Sequence, residues 1–535
     1  MPTADCIPIT TATGLSRLFL DYCAGADTVR PFYLGVSPAE DWQHRPQPPA
    51  HWPELVEQLA VQNPSANASS AIGRLRQGAG VVVTGQQVGL FGGPLFTPLK
   101  AATAIARARQ ATAAGRPHAA IFWLAGEDHD FAEINHVAFP ARRELRKLVY
   151  EAAPESATPV GEVVLDESIL LLIDQAWELL GASYAMDALV EAYAPGRTFA
   201  QAFADFYRRV FSAQGLVILD PSSREMHRMG ALVLRAAIER ADELHAALTD
   251  RNGELQRAGY HAQVAVAPQS SLLFLIDAQS RARVALKRIA PSTSEPAGLW
   301  QAGRHKYSSD DLLGILVAEP ERISPAALLR PVFQDYLLST SLTIGGPAEV
   351  AYFAQSSVLF EGILGRMTPV HPRFSATLVE PAIAELLHTH GLAPDRVFSE
   401  TRESLTQLLA ARAIPVEGKR KLSSAGNALD AELEGLLAWM RSLDAGLGRS
   451  ADTSASKMRY QMNRLRRLAA NFQLQKETSL ARHAEAITLA LYPDNTLQER
   501  LHGAAYYFAR YGFGLAEQFA TTAEKLCPGH AIIWL

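Results

Sequence analysis

A dense group of ionisable side chains follows an apolar segment near residue 125. One glycine separates the apolar residues 121–125, which are typical of a buried strand, from Glu127, Asp128, His129 and Asp130. Ionisable groups at the end of an apolar strand are costly unless they bind something. A carboxylate beside an imidazole can orient that ring as a general base or hold a metal ion. We therefore predict a site here.

The spacing of these residues limits the kinds of site that they could form. His129 and Glu133 are four residues apart, which places both side chains on one face of a helix. No third zinc ligand is identifiable, and carboxylates suit a magnesium-bound nucleotide more naturally. The alternative is a solvated helix start capped by Asp130. The predicted catalytic residues are Glu127, Asp128 and His129, and the predicted ligand contacts are Asp130 and Asn135.

A glycine-rich loop at residues 85–94 follows a second apolar segment, residues 81–83. Its glycines match neither a Walker A loop nor the dinucleotide fingerprint. Glycines still let backbone N–H groups approach an anion, and the helix start after Pro94 favours negative charge. Lys100 could point back to that anion, or it could be a surface lysine after a tight turn. The predicted contacts are Gly85, Gln86, Gln87, Gly89, Gly92, Gly93 and Lys100.

Two later apolar segments also end in glycine or polar residues. The Gly-Gly-Pro sequence at residues 345–347 repeats the one at residues 92–94, and polar residues stand in an apolar setting just upstream. Arginine at a strand end suits the capture of a carboxylate or phosphate. A structural salt bridge is the alternative for any single arginine. The predicted contacts are Arg330, Gln334, Gly345, Gly346, Glu349, Tyr352 and Arg373.

Five apolar segments ending in this style must position these residues. We predict an α/β fold with a Rossmann-type, doubly wound parallel sheet, because ligands bind at the carboxyl ends of such strands. A candidate strand at residues 161–165 lies within an otherwise helical stretch. The predicted organisation is an N-terminal arm with the first half of the core at 1–137, a mostly helical connecting insertion at 138–210, core at 211–254, a β-rich connecting insertion at 255–330, the second half of the core at 331–380, a helical coiled-coil hairpin at 381–490 and a C-terminal segment packing back on the core at 491–535.

The hairpin prediction comes from apolar residues at alternating spacings of four and three, a heptad pattern. A polar turn is predicted at residues 448–454, with Asp452 or Thr453 as the N-cap of the second helix. The stripes would either pair two chains or dock on the main body. They consist of Leu429, Leu433, Leu436, Met440, Leu443 and Leu447 in the first helix, and Met458, Met462, Leu465, Ala469 and Phe472 in the second.

Composition excludes several classes of protein. The 535 residues are 48% apolar and 20% charged with a net charge of -5, which is globular and gives no electrostatic footprint for nucleic acid. The longest aliphatic stretch, residues 168–180, is too short and too charged to span a membrane. Cys6, Cys23 and Cys527 have neither zinc spacing nor close pairing. We expect no disulfide framework, no structural metal and a cytoplasmic location.

Several long phrases stand out in the sequence: in chain order, TGQQVGLFGGPLFT, GEDHDFAEIN, LLRPVFQDYLL, IGGPAEVAYFAQ, HPRFS and HGAAYYFARYG. They closely resemble the BshC family of bacillithiol biosynthesis. The resemblance covers nearly the whole chain and implies a core related to class I aminoacyl-tRNA synthetases, with inserted connecting segments and a coiled coil that pairs two chains as a homodimer. It implies a cysteine ligase that adds L-cysteine to glucosaminyl malate through an amide bond, the last step in making the thiol bacillithiol.

An unactivated carboxylate is a poor electrophile, so adenylation by ATP with Mg²⁺ is the economical expectation, although HIGH-type and KMSKS-type signatures are absent from the sequence. On this hypothesis the loop at residues 85–94 holds anionic groups. Residues 127–129 bind an amine with His129 as proton acceptor, and Arg330 or Arg373 binds a carboxylate. Two alternatives stay open: a metal-dependent hydrolase or deacetylase built on residues 128–130, and a non-catalytic nucleotide-binding coiled-coil scaffold.

Overall fold

A computed structural model describes residues 4–11, 14–36, 42–44, 46–154, 156–289, 298–525 and 527–535 of the chain. The strands are β1 (Ala4–Ile7), β2 (Gly80–Gln86), β3 (His118–Leu124), β4 (His136–Pro140), β5 (Leu145–Val149), β6 (Val217–Leu219), β7 (Ser270–Ile276), β8 (Arg283–Arg288), β9 (Leu299–Ala302), β10 (His305–Ser308), β11 (Ile323–Pro325), β12 (Leu342–Gly345), β13 (Val370–Pro372), β14 (Ala376–Val379) and β15 (His530–Trp534).

The helices account for most of the remaining structure. They are α1 (Arg17–Cys23), α2 (Trp52–Gln62), α3 (Ala66–Arg76), α4 (Phe96–Ala113), α5 (Phe131–Ile134), α6 (Ile169–Leu180), α7 (Tyr184–Ala192), α8 (Phe199–Val210), α9 (Arg224–Met229), α10 (Ala231–Glu239), α11 (Ala241–Arg257), α12 (Ser309–Ala318), α13 (Arg330–Leu338), α14 (Pro347–Leu364), α15 (Pro381–Thr389), α16 (Pro394–Val397), α17 (Arg402–Ala413), α18 (Val416–Leu443), α19 (Ala445–Lys476), α20 (Ser479–Leu491), α21 (Gln498–Leu501), α22 (Ala504–Tyr511) and α23 (Gly514–Glu524).

The central sheet has the strand order β13-β12-β2-β3-β6, and every neighbouring pair is parallel. Side chains of β2 alternate between two cores. Val82 packs in one core with α4 and α8, whereas Val81 and Val83 pack in the other with α2, α3, α13 and α14. Helices thus cover both faces, which is why the strands are continuous apolar runs. The predicted doubly wound parallel sheet is confirmed.

Two insertions interrupt the alternation of strands and helices. The first contains the β4–β5 hairpin and helices α6, α7 and α8, and the second contains an antiparallel sheet of order β10-β9-β8-β7-β11. The strand predicted at residues 161–165 is wrong. Val160–Glu162 is a 3₁₀ turn, and Gly161 lies so close to Gly126 that a Cβ there would approach the Gly126 Cα to 3.0 Å. This turn supports the loop after β3 instead of joining a sheet.

Both ends of the chain meet in a third sheet of order β1-β15-β14. Antiparallel pairing of β1 with β15 places Cys6 beside Cys527, and the two form a disulfide with a Cα separation of 5.7 Å. The expectation that no cysteines pair is therefore wrong. The sequence separation of 521 residues hid the pairing, because only the sheet brings the two cysteines together. Cys23 is a free cysteine.

The helical hairpin consists of α18 and α19, and its turn is not where the sequence pattern indicated. The chain reverses at Asp444, whose side chain accepts a hydrogen bond from the backbone N–H of Leu447 at 2.9 Å. Residues 448–454 are helical, so neither Asp452 nor Thr453 is an N-cap. Gly448 allows the close crossing, because a Cβ there would come within 2.7 Å of Arg441.

Only part of the heptad pattern is used within the hairpin. Leu433, Leu437 and Ala455 are buried between the two helices. Leu436, Leu443, Leu447, Met458, Leu465 and Phe472 remain 40–64% exposed. An apolar stripe therefore runs along the outside of the hairpin.

The C-terminal helices lie against the main body. Helix α23 packs on α4, and the guanidinium of Arg109 donates to both carboxylate oxygens of Glu517 at 2.6 and 2.8 Å. Within the described ranges of the chain, no helix combines the length and apolar character that crossing a membrane requires.

Candidate active site

A cleft of about 540 Å³ opens at the carboxyl edge of the central sheet. The loops that follow β2, β3 and β12 meet there, as expected at the ligand-binding edge of a parallel sheet. The antiparallel sheet closes the cleft from the other side. The lining residues include Gly85, Gln86, Gln87, Phe96, Lys100, Trp123, Glu127, Asp128, Glu133, Phe274, Arg283, Arg330, Gly346, Glu349, Tyr352, Arg373 and Arg500.

Gln87 joins the first two strand-end loops. Its Nε2 donates to Asp128 Oδ2 at 3.0 Å and to Glu133 Oε2 at 2.8 Å. Burial raises the pKa of Asp128, but the backbone N–H of His129, the Arg283 guanidinium and the Gln87 amide together hold that pKa below its ordinary value. Asp128 is therefore an anion at neutral pH, and it faces the cleft.

Lys100 is a structural cation in the wall of the cleft. Its ammonium donates to Gly85 O at 2.6 Å and to Gln86 Oε1 at 3.1 Å, and it forms an ion pair with Glu349. A lysine has three donors, and these partners occupy all of them. Burial lowers the pKa of Lys100, and Glu349 opposes that effect. The expectation that Lys100 points at a bound anion is not met; it connects the loops after β2 and β12.

Arg330 at the start of α13 has a different environment. Its Nη2 donates to the hydroxyl of Tyr352 at 2.7 Å. Across the described ranges of the chain, no carboxylate forms an ion pair with it. Burial raises the pKa of Tyr352 to about 12, so the phenol is neutral. Arg330 thus brings to the cleft a positive charge that no described carboxylate contacts directly, although Glu349 and Asp128 act on it from a distance.

Arg373 is also at the cleft, but its charge is neutralised. Its Nη1 and Nη2 donate to the two carboxylate oxygens of Glu499 at 3.0 and 2.5 Å, and both side chains are buried. Glu499 accepts further bonds from the hydroxyl of Ser375 and the backbone N–H of Ala376, each at 3.0 Å. The salt-bridge alternative therefore describes Arg373, and Arg330 is the better candidate for binding a carboxylate.

Several predicted residues lie away from the cleft. His129 does not line it; its Nδ1 is 3.2 Å from an Arg283 nitrogen, and its ring lies 5.5 Å from that of Phe274. Asp130 is exposed and precedes α5 without a capping hydrogen bond from its side chain. Asn135 donates to the carbonyl of Tyr150 at 3.1 Å, which is a structural contact. Gln334 is buried on α13, and Gly345 lies behind Gly346 at the end of β12.

The later glycines of the first loop pack against protein. Gly92 has a φ of +83°, and a Cβ there would lie 2.6 Å from the ring of Phe206. Its N–H donates to the Tyr193 hydroxyl at 2.9 Å, and its carbonyl accepts from Tyr207 at 2.6 Å. Gly89 and Gly93 belong to the same packed turn. Only Gly85, Gln86 and Gln87 of this loop line the cleft.

The packing of this loop determines whether it could bind the phosphates of the expected nucleotide. A phosphate cradle needs free backbone N–H groups, but the N–H groups of Gly89, Gly92 and Gly93 donate within the protein. The three donors of Lys100 are also occupied. The loop does not fit a polyphosphate. The described residues contain no group of three or more His, Cys, Asp and Glu side chains that could hold a metal ion on their own. Residues 128–130, on which the metal-dependent hydrolase alternative depends, do not form such a group either.

Sequence reasoning missed several residues of the site. Arg283 reaches the cleft from β8, donates to Pro325 O at 3.0 Å and stacks 3.7 Å from the centre of the Phe274 ring. His227 on α9 forms a hydrogen bond with Glu127, with 2.7 Å between His227 Nε2 and Glu127 Oε1. A signal existed for His227, because it lies in the helix that follows the third strand end. Arg283 and Glu499 had no such local signal.

Two family models together match nearly the whole chain. Residues 2–374 match the model described as "Bacillithiol biosynthesis BshC, N-terminal Rossmann-like domain". Residues 376–535 match "Bacillithiol biosynthesis BshC, C-terminal coiled-coil domain". The chain belongs to the BshC family. The Arg373–Glu499 ion pair therefore joins the two family regions of this BshC chain, because Arg373 lies in the first and Glu499 in the second.

Curated relatives of this BshC chain share its full length. A protein of Koribacter versatilis (strain Ellin345) is 40% identical over 538 residues, which cover 99% of each chain. Relatives from Solibacter usitatus (strain Ellin6076) and Salinibacter ruber (strain DSM 13855 / M31) are 33% and 31% identical, covering 99% and 96% of each chain. All three carry the name "Putative cysteine ligase BshC".

Proposed function

We propose that this protein is a ligase of bacillithiol biosynthesis that joins the carboxyl group of L-cysteine to the amine of glucosaminyl malate. The family match and the names of the full-length relatives support the coarse assignment. The resemblance noted in the sequence supplies the acceptor and the amide bond. Both substrates carry an ammonium group and at least one carboxylate, so a suitable site must offer both signs of charge.

The charge pattern of the cleft is the observation that carries the proposal. Glu127 and Asp128 line one wall after β3, and Arg330 faces the same space with no carboxylate among its described partners. Carboxylates bind an ammonium group, and a guanidinium binds a carboxylate through paired hydrogen bonds. A cleft lined in this way holds an amine and a carboxylate at fixed positions. Fixing two reactants in one geometry lowers the barrier to their reaction.

Arg330 is the carboxylate-binding residue in this scheme. Its hydrogen bond to the neutral Tyr352 hydroxyl orients the guanidinium without cancelling its charge. Glu127 and Asp128 bind the ammonium group of the aminosugar opposite it. Lys100 and Arg373 hold the loops in place through Glu349 and Glu499.

The exposed stripe of the hairpin supports a homodimer. Leu436, Leu443, Leu465 and Phe472 repeat along one side of α18 and α19 and are roughly half exposed. Long apolar stripes at heptad spacing are stabilised when a second pair of helices covers them. In this scheme the hairpins of two chains pack together and the clefts stay separate.

Ligand binding tests the assignment of the cleft. Isothermal titration of the purified protein with L-cysteine and with glucosaminyl malate should give saturable binding. Arg330→Met should weaken binding of at least one of the two ligands by roughly 10- to 150-fold, because about 1.5–3 kcal/mol of charged hydrogen bonding to its carboxylate is lost. Arg235→Met, at a half-exposed arginine on α10, is the matched control. Equal affinities for wild type and Arg330→Met would refute the role of Arg330.

A further inference from the structure

His227 is a buried histidine with both ring nitrogens engaged. It lies on α9 and has no solvent exposure. Its Nδ1 is 2.9 Å from the carbonyl oxygen of Ile323 on β11, and its Nε2 is 2.7 Å from Glu127 Oε1. The ring of Phe333 packs against the imidazole at 5.5 Å. The imidazole is thus fixed between the β-rich insertion, the core and the floor of the cleft.

These contacts determine where the protons are. A backbone carbonyl only accepts hydrogen bonds, so Nδ1 of His227 carries a hydrogen. The 2.7 Å contact between Nε2 and Glu127 Oε1 needs one further proton. Either the imidazolium donates to a carboxylate, or a neutral carboxylic acid donates to the neutral ring. The second form would leave the nearby Arg283 guanidinium without the Glu127 charge that acts on it.

The surrounding charges favour the ion pair. Glu321 and Glu127 are the acidic groups that act on His227, and Arg283 favours the Glu127 charge from the other side, where the like charge of Asp220 opposes it. Burial would lower the pKa of His227, but the Glu127 carboxylate, the Ile323 carbonyl and Glu321 raise it above its ordinary value. Glu127 is only 8% exposed and lines the cleft. A buried carboxylate stays charged only with such a partner.

We propose that His227 is a positioning residue that, as an imidazolium, holds Glu127 as a carboxylate and presents its free oxygen to the ammonium group of the aminosugar. The substrate part of this inference rests on the proposed function. In this proposal Glu127 also accepts a proton during the reaction. When the ammonium loses a proton before attack, that proton passes to the Glu127 carboxylate while the electron pair of the N–H bond stays on nitrogen. His227 acts through Glu127 and does not touch the substrate.

Protonation of the pair is testable without any substrate. In protein labelled with ¹⁵N-histidine, the His227 signals are identified among the 15 histidines by their loss in His227→Gln. Wild type should show both nitrogens protonated from pH 6 to pH 8. In Glu127→Gln the same ring should become neutral, because its counter-ion is gone. A neutral His227 ring in wild type would overturn the inference, whatever the substrate is.

Binding then tests the consequence for the ligand. Titration with glucosaminyl malate between pH 6 and pH 7 should give nearly constant affinity for wild type. In His227→Gln, Glu127 has lost its counter-ion, so affinity for the ammonium group should fall as the pH decreases from 7 to 6. A merely structural His227 would lower affinity equally at both pH values, and that result would contradict the positioning role.

Two controls separate this inference from the proposed function. The N-acetylated sugar carries no ammonium group, so its binding should not respond to His227→Gln. In Glu127→Gln, the further change His227→Gln should have no additional effect on the pH dependence. If the NMR signature is present but glucosaminyl malate does not bind wild type, the proposed function fails and the pairing stands. If glucosaminyl malate binds but the His227 ring is neutral, the ion pair between His227 and Glu127 is refuted and the proposed function stands.

Discussion

The guanidinium of Arg373 and the carboxylate of Glu499 form a buried, bidentate ion pair, with nitrogen–oxygen distances of 3.0 and 2.5 Å. Arg373 follows β13 of the central sheet, whereas Glu499 is on α21 in the coiled-coil region of the chain. Arg373 of this pair lines the cleft. The same contact therefore shapes the candidate site and fixes the two family regions together.

Glu499→Gln should destabilise the protein strongly. The substitution leaves the Arg373 guanidinium buried without a counter-charge, and breaking a buried pair on one side costs roughly 3–5 kcal/mol. Chemical denaturation followed by circular dichroism measures this loss. Glu524→Gln, at a partly exposed acid of α23, is the control and should change stability by less than about 1 kcal/mol. A Glu499→Gln variant as stable as wild type would contradict the structural role of the pair.

The same pair predicts a pH dependence of stability. Burial raises the pKa of Glu499, but Arg373 and its hydrogen bonds hold that pKa below the ordinary value of 4.5. Because the folded pKa is lowered, the contribution of Glu499 is complete above about 4.5 and is lost as the pH falls through the folded pKa. The stability difference between wild type and Glu499→Gln should therefore shrink below pH 4.5. A constant difference from pH 7 to pH 3 would contradict this assignment.

Lys100→Met should lower the free energy of unfolding. It removes the donor shared by Gly85, Gln86 and Glu349, and it leaves the Glu349 carboxylate without its cation. We expect a loss of roughly 3–5 kcal/mol in the free energy of unfolding. Adding Glu349→Gln should recover part of that loss, since the unpaired charge is then removed. Wild-type stability combined with lost ligand binding in Lys100→Met would instead make Lys100 a substrate contact.

Leu465→Glu and Phe472→Glu should each convert a dimer into monomers. Both side chains are more than half exposed along the hairpin stripe, so a charge there would be buried only in an assembled dimer. Size-exclusion chromatography with light scattering gives the mass in solution. Ser456→Glu, at an exposed polar position on the opposite side of α19, adds the same charge and should leave the dimer intact. A wild-type mass of one chain would refute the dimer.

The central sheet could be predicted because its strands are buried on both faces. Each of the five appears in the sequence as a short apolar run ending in glycine or polar residues. Parallel strands then place their carboxyl ends at one edge. For this reason Gln87, Asp128, Arg330 and Glu349, which are distant in sequence, could be assigned to one site, and all four line the cleft.

The partners of these residues could not be predicted in the same way. Whether Lys100 and Arg373 carry free charges depends on Glu349 and Glu499, which are 249 and 126 residues away along the chain. The disulfide has the same cause, since its cysteines meet only when β1 pairs with β15. Arg283 comes from a sheet whose placement over the cleft has no sequence signature.

The hairpin turn was misplaced for a different reason. The apolar spacing continues from Leu443 to Leu447 with a step of four, so the heptad pattern runs through the point where the chain reverses. A periodic pattern predicts a helix but not the direction of the chain. Asp444 was the available signal, since aspartate favours the N-cap position.

The most direct test of the account is the thiol content of the host cell after deletion of the gene. Mass spectrometry should show that bacillithiol disappears and glucosaminyl malate accumulates. Wild type and Asp130→Asn, an exposed acid outside the cleft, should restore bacillithiol, whereas Asp128→Asn and Arg330→Met should not, although all four proteins are folded and equally abundant. Unchanged bacillithiol in the deletion strain, or full restoration by Asp128→Asn, would contradict cysteine addition in this cleft.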